Sequence, residues 1–179
     1  HGGALKDELA IENLDALEKG IPNLLKHIEN VTQKFGLPAV VAINRFPTDT
    51  EAELKLIEDK CREYGVNVAL SEVWAKGGEG GIELAKEVIR LIDEEEKNFK
   101  FIYNDNDSIK EKIEKIVREV YGGDGVEFTP AASREINRLE KYGFGNLPVC
   151  MAKTQYSLSD DPKKLGWPKG FKVTVRSIK

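Results

Sequence analysis

The sequence predicts an α/β protein in which short parallel strands alternate with covering helices. Two apolar runs, residues 39–43 and 67–70, are rich in β-branched side chains, which is typical of buried parallel strands. The segments around them carry apolar residues at the helical period of about 3.6. Helix, strand, helix, strand, helix is the order of βαβ units, so we expect a parallel sheet.

The helices of the first half are bounded by recognisable end signals. Residues 21–34 are predicted as an amphipathic helix that Gly36 ends, and residues 4–19 as a helix or a loop followed by a helix. Thr48 or Asp49 is expected to cap the helix after the first strand. The next predicted helix, residues 82–95, follows a glycine-rich loop, and its expected inner face comprises Leu84, Ala85, Val88, Ile89 and Ile92.

The sequence after the acidic run at residues 93–96 predicts a second, smaller α/β unit. Asp107 or Ser108 is expected to cap one helix, and Thr129 with Pro130 is expected to begin another. The predicted helices are residues 109–121 and 131–142. The predicted strands and strand-like runs are residues 99–103, 126–128, 147–151 and 171–176.

Composition excludes several classes of function. The 179 residues are 40% hydrophobic and 32% charged, with a net charge of −4, so we expect no nucleic-acid partner. No apolar run approaches the roughly 20 residues that cross a bilayer, so no membrane partner is expected. Cys61 and Cys150 form no C-x-x-C pair, which favours a reducing cytoplasm. His1 and His27 offer no metal-site spacing and no convincing catalytic triad.

The ends of the two predicted strands carry the first candidate residues. Ligands of open α/β sheets lie outside the carboxyl ends of the strands, where Phe46 and Trp74 occur. Two aromatic rings at that edge could hold a flat ligand between them. The alternative is that both rings are core residues, and the spacing alone favours this. Asn44 could recognise the edge of a purine, although a loop-capping role is the simpler interpretation.

Two polar loops provide weaker candidates. The glycine-rich loop that begins at Lys76 opens a helix, so its amides could hold an anion, but no G-x-x-x-x-G-K-[ST] sequence occurs in the chain. The loop at Lys153 and Thr154 offers hydrogen-bond donors to carboxylates or phosphates, or is simply solvated. Cys150 is expected to lie inside a strand and to be inert.

Several long segments resemble formate–tetrahydrofolate ligase, also called formyltetrahydrofolate synthetase. They are the opening HGG, VVAINRFPTDTEAEL, ALSEVWAKGGEGG, FKFIY with IKEKIEKI, and GFGNLPVCMAKTQYSLSDDP with GWPKGF. The resemblance implies an ATP-dependent ligase of one-carbon metabolism that makes 10-formyltetrahydrofolate through formyl phosphate. It implies tetrahydrofolate, formate and ATP as substrates, with magnesium, a monovalent cation and a homotetramer in the full enzyme.

The resemblance also implies roles for individual residues. Phe46 and Trp74 would hold the folate pterin, whereas Asn44 would lie near the nucleotide base. Leu70 and Ser71 would line the nucleotide side of the cleft. The second-tier cleft candidates are Lys76, Gly77, Gly78, Lys153 and Thr154. No residue is assigned as catalytic or as a metal ligand.

The family's phosphate-binding P-loop is missing from this sequence, so we expect an interior and C-terminal piece that is inactive alone and holds no cofactor. Residues 1–98 would be part of a P-loop-NTPase-like parallel-sheet domain and residues 99–179 a smaller, truncated α/β domain. Missing sheet neighbours would leave apolar edges exposed.

Three other interpretations stay open at this point. The chain could be a folded module that binds pterin or purine rings, or an inert structural fragment. A GTPase-like protein with NRFPTD as a degraded base-recognition motif is a weaker rival, because Arg45 replaces the lysine and Asp49 is misplaced by one residue.

Overall fold

Two short parallel sheets, one in each half of the chain, form the framework of this mixed α/β protein. The computed structural model describes residues 2–179. They divide into two compact units between Phe99 and Lys100. None of the helices in this described part of the chain is both long enough and apolar enough to cross a membrane.

The first unit has the predicted alternation of helices and strands. In chain order it contains a 3₁₀ turn Lys6–Glu8, α1 Leu14–Glu29 with a π-helical continuation Asn30–Lys34, β1 Val40–Asn44, α2 Glu51–Glu63, β2 Asn67–Ser71, α3 Val73–Lys76, a 3₁₀ segment Gly77–Gly81 and α4 Ile82–Glu94. Strands β1 and β2 pair in parallel, from Val40 opposite Asn67 to Asn44 opposite Ser71. The predicted parallel strands are thus confirmed.

Two predicted helix starts in this unit are wrong. Helix α1 begins seven residues before position 21, because the side chain of Asn13 accepts the N–H of Ala16 at 2.9 Å and caps it there. Helix α2 is capped by Thr50, which exchanges hydrogen bonds with Glu53 in a capping box, and not by Thr48 or Asp49.

The core of the first unit lies between α1, α2 and the sheet, where Ile28, Cys61 and Val66 are buried together. Helix α4 contributes little to it. Its predicted inner face is largely exposed, with Ile89 at 58% and Ile92 at 57%. The physical reason is that the sheet has only two strands and so covers only one side of α4. On that side, Glu87 accepts a hydrogen bond from Asn67 Nδ2 at 2.8 Å.

The second unit contains α5 Ile109–Lys115 with a π-helical continuation Ile116–Tyr121, β3 Gly125–Phe128, α6 Pro130–Lys141 and β4 Lys172–Val175. Strands β3 and β4 pair in parallel, from Gly125 opposite Lys172 to Phe128 opposite Val175. Ser108 caps α5 and Thr129 caps α6, as predicted. The core gathers α5, α6 and β4 around its buried residues Ile109, Ile113, Ala132, Ile136 and Val175.

Two predicted strands of the second half are absent. Residues 99–103 and 147–151 have no strand partner, because side chains satisfy part of their backbone. The N–H of Val149 donates to the Tyr103 hydroxyl at 2.9 Å, and the buried ammonium of Lys112 donates to the carbonyl of Leu147 at 3.1 Å. Cys150 consequently lies exposed in an irregular segment, so its predicted place inside a strand is wrong.

Candidate ligand site at the strand ends

Strands β1 and β2 end side by side. Because they are parallel and Asn44 lies opposite Ser71, their carboxyl ends meet at one edge of the sheet. The N–H of Arg45 donates to the carbonyl of Ser71 at 3.0 Å, which extends the pairing one residue past β1. Asn44 is exposed there, while Leu70 and Ser71 are half-buried. The three predicted base-side residues are therefore neighbours in the fold.

A tight turn carries Phe46. Its N–H donates to the Asp49 carboxylate at 2.8 Å, and its carbonyl accepts the N–H of Asp49 at 3.0 Å. This reciprocal pair closes the turn that leads into α2. The Phe46 side chain is 54% exposed and belongs to no core cluster. The alternative that Phe46 is a buried core residue is therefore wrong.

Trp74 lies on α3, the single helical turn that follows β2. Its side chain is 72% exposed, so the core alternative fails here as well. An indole carries a large apolar face, and an exposed one is available for stacking against a flat ligand. The sheet edge thus presents two exposed aromatic side chains, each a few residues beyond a strand end.

Charged side chains surround the base of this edge. The carboxylate of Glu72 accepts a hydrogen bond from Lys76 Nζ at 2.6 Å, and that bond holds the pKa of Glu72 below its ordinary value. The charges of Lys76 and Arg45 act in the same direction. Arg45 also pairs with Glu51 at 2.6 Å. Each cation of this group is thus held by a carboxylate of the same chain.

Glycines continue the edge beyond Trp74. The segment predicted as a glycine-rich loop is a 3₁₀ segment, Gly77–Gly81. Gly77 and Gly78 are exposed, and a Cβ at either position would meet nothing within 4 Å. Both glycines therefore face open space at the surface.

Lys153 and Thr154 lie in the second unit, in the irregular segment before β4. The Lys153 ammonium donates to the carbonyls of Thr154 at 3.0 Å and Ser159 at 3.1 Å, and also to that of Ser157. Burial lowers the pKa of Lys153, an effect that Asp160 opposes. All three N–H groups of this ammonium thus point at the chain's own loop.

An apolar cavity of about 860 Å³ lies in the same unit, beside β4. Val149, Met151 and Val173 are among its lining residues, and Lys153 and Thr154 line its polar end. No three His, Cys, Asp or Glu side chains in residues 2–179 converge in a way that could hold a metal ion.

Comparison with known protein families matches residues 1–179 to formate–tetrahydrofolate ligase. The chain belongs to the formate–tetrahydrofolate ligase family. The resemblance noted in the sequence is thereby confirmed. Formate–tetrahydrofolate ligases are enzymes of one-carbon metabolism that use formate, tetrahydrofolate and ATP.

The sequence analysis did not propose Arg45 and Glu72 as residues of this sheet edge. Both stand next to residues that were singled out, and Glu72 precedes Lys76 by four positions, a spacing at which opposite charges meet on a helical turn. That spacing was the available signal. Arg45 lies near Glu72 only because β1 pairs with β2, and the sequence of either strand alone does not show that pairing.

Proposed function

We propose that this chain forms the folate and base side of the cleft in an ATP-dependent ligase that joins formate to tetrahydrofolate. The product is 10-formyltetrahydrofolate, and the reaction runs through formyl phosphate. The observation that carries the proposal is the pair of exposed aromatic side chains, Phe46 and Trp74, at adjacent strand ends in a member of this family.

In this proposal Phe46 and Trp74 hold the pterin of tetrahydrofolate between two aromatic faces. A pterin is a flat bicyclic ring, and stacking of such a ring on an aromatic side chain contributes about 1–3 kcal/mol by alanine substitution. Neither side chain is needed to fill the core, because both are exposed. Truncating them should therefore affect binding much more than folding.

The nucleotide side is assigned to Asn44, Leu70 and Ser71. The exposed amide of Asn44 can both donate to and accept from a purine edge, and its place at the carboxyl end of β1 fits a base-recognition residue of a P-loop-NTPase-like sheet. Lys76, Gly77 and Gly78 complete this edge. Lys153 and Thr154 belong to the second unit, and we propose for them only a role in the shape of their own loop, which the Lys153 ammonium holds.

ATP is a substrate that enters as its magnesium complex, and the family's monovalent cation belongs to the full enzyme. No three acidic, thiol or imidazole side chains among positions 2–179 converge in a way that could hold a resident metal ion. The chain contains no G-x-x-x-x-G-K-[ST] sequence. We therefore propose that the 179 residues alone do not form 10-formyltetrahydrofolate.

The test is a tetrahydrofolate titration followed by the fluorescence of Trp74, with Trp167→Phe to remove the second indole. We expect quenching on binding. Phe46→Ala should weaken binding about 5- to 150-fold, which corresponds to the loss of one stacking face. Phe101→Ala removes a ring that is 82% exposed in the second unit, and this control should bind normally.

Each outcome separates the remaining interpretations. Quenching whose affinity Phe46→Ala weakens supports the pterin site. ATP- and formate-dependent product from the chain alone would contradict its proposed inactivity. Quenching by purines but not by tetrahydrofolate would indicate a purine-binding module instead. A folded chain that shows no quenching with either ligand would leave only an inert structural role for these residues.

A further inference from the structure

The indole of Trp74 stands on a short segment, residues 72–81, that is closed by a single residue. The N–H of Glu72 donates to the carbonyl of Gly80 at 3.0 Å, which joins the two ends of the segment. The carbonyl of Glu72 accepts the N–H groups of Ala75 at 3.0 Å and Lys76 at 2.9 Å. Its carboxylate accepts a hydrogen bond from Lys76 Nζ at 2.6 Å. Backbone and side chain of Glu72 thus hold both the start and the end of the segment.

Close packing of the backbone makes this arrangement specific. A Cβ at Gly80 would lie 2.4 Å from both the carbonyl carbon and the oxygen of Glu72. Such a distance is far inside van der Waals contact, so only glycine permits these two backbone segments to approach each other so closely. The hydrogen bond from Glu72 to Gly80 therefore requires glycine at position 80.

The ring of Trp74 is not held by burial, since 72% of it is exposed. The backbone beneath it sets the direction of the Cα–Cβ bond and so the range of orientations open to the ring. The Glu72 side chain is only 30% exposed and stays ionised at neutral pH, because the hydrogen bond from Lys76 keeps the pKa of its carboxyl low. The carboxylate is thus well suited to hold the helical turn that carries the indole.

We propose that Glu72 is a positioning residue that fixes segment 72–81 and so sets the orientation of the Trp74 ring. The effect on tetrahydrofolate rests on the proposed function, whereas the effect on the ring does not. Lys76 takes part through its ion pair with Glu72, in which its ammonium lies 2.6 Å from the carboxylate.

The first experiment needs no ligand. The time-resolved fluorescence anisotropy of Trp74 is measured in the Trp167→Phe background for Glu72→Gln, Lys76→Met and the double variant. Each single variant should increase the amplitude of fast indole motion. The double variant should add little to either, because two residues that act through each other are not additive. Additive effects, or no change in the single variants, would overturn the proposal.

A matched control tests whether any lost ion pair has this effect. Glu83 and Lys86 on α4 form an exposed pair at 2.7 Å that lies outside segment 72–81. Glu83→Gln and Lys86→Met should leave the indole motion unchanged. If they loosen Trp74 to the same degree as Glu72→Gln, the assay reports general loss of charge pairing and the proposal fails.

The second experiment measures tetrahydrofolate binding and urea unfolding of the same variants. Glu72→Gln should raise the dissociation constant about two- to tenfold while the unfolding midpoint stays unchanged. If Phe46→Ala weakens binding and Glu72→Gln does not, the positioning role is contradicted and the proposed function survives. If the unmodified chain binds no tetrahydrofolate but Glu72→Gln still loosens the indole, the proposed function fails and the positioning role stands.

Discussion

Gly36 and Gly65 offer a clean test of how tightly the first unit is packed. Both follow a helical segment and both have left-handed backbones, with φ of +67° and +70°. Their surroundings differ completely. A Cβ at position 36 would lie 2.0 Å from the carbonyl oxygen of Asn98, whereas a Cβ at position 65 would meet nothing within 4 Å. Alanine at the two sites therefore shares the backbone strain and differs in the steric clash.

The structure gives the expected magnitudes. A left-handed backbone costs an L-residue about 1–2 kcal/mol, and Gly65→Ala should lower the free energy of unfolding by that amount. Gly36→Ala should cost about 1–3 kcal/mol more, because a backbone oxygen must move to relieve the overlap. Asn98 cannot move freely, since its N–H donates to Gly36 at 3.0 Å and the neighbouring Phe99 ring stacks on Phe35 with centroids 6.4 Å apart.

The assay is urea unfolding of the two variants and the unmodified chain, followed by far-ultraviolet circular dichroism. Gly36→Ala should have the lower midpoint, with the slope against urea unchanged. Equal midpoints for the two variants would refute the reasoning, because the contact with Asn98 would then cost nothing. A Gly65→Ala variant as stable as the unmodified chain would contradict the strain argument separately.

Three further predictions concern packing, capping and pH. Ile136→Ala, at a fully buried position, should cost about 2–5 kcal/mol in urea unfolding, whereas Ile89→Ala, 58% exposed, should change the free energy of unfolding by less than about 0.5 kcal/mol. Thr129→Ala should lower the free energy of unfolding by about 1 kcal/mol by removing the cap of α6, and Thr129→Ser should restore most of it. Hydrogen bonds from Arg90 foremost lower the pKa of Glu87 from 4.5 to about 2, so its contribution to stability is complete above pH 4.5 and is lost as the pH falls to about 2. Glu87→Gln should therefore make thermal unfolding less dependent on pH between 4.5 and 2.

Elements with strong local end signals could be predicted from the sequence. Thr129 followed by Pro130 caps and begins α6, and Ser108 forms a capping box with Glu111, because these contacts involve residues three apart and need no tertiary partner. A predicted helix boundary was wrong where a second capping signal lay close by in the sequence. Thr50 with Glu53 provides a stronger capping box than either residue chosen for α2.

The two strands predicted at residues 99–103 and 147–151 were wrong for a different reason. Residues 147–151 have the composition of a strand, yet Val149 bonds to a hydroxyl 46 positions away and Leu147 to an ammonium 35 positions away. A strand requires a neighbouring strand, and composition does not tell whether one is available. Lys112, which is fully buried, would have been assigned to the surface on its charge alone.

The sequence predicted where the candidate side chains Phe46 and Trp74 lie in the fold, but not that they are exposed. The apolar runs fix where β1 and β2 end, and this places Phe46 and Trp74 at one edge. Whether a ring at a strand end is buried depends on what lies over it, and the sequence favoured the core. The two turns that carry the rings need no element over them, because Asp49 and Glu72 form the hydrogen bonds of their backbones. The rings therefore stay exposed.

Two kinds of exposed apolar surface in the first unit therefore have different physical meanings. The exposed face of α4 repeats with the helical period, with Ile82, Ile89 and Ile92 all on it, and such periodicity is the pattern of a surface that packs against another element. Phe46 and Trp74 show no periodic neighbours and sit on turns closed by their own hydrogen bonds. Local structure presents these two rings, whereas only the limited width of the sheet exposes the face of α4. This distinction is why the rings, and not the larger apolar face, are the candidate ligand site.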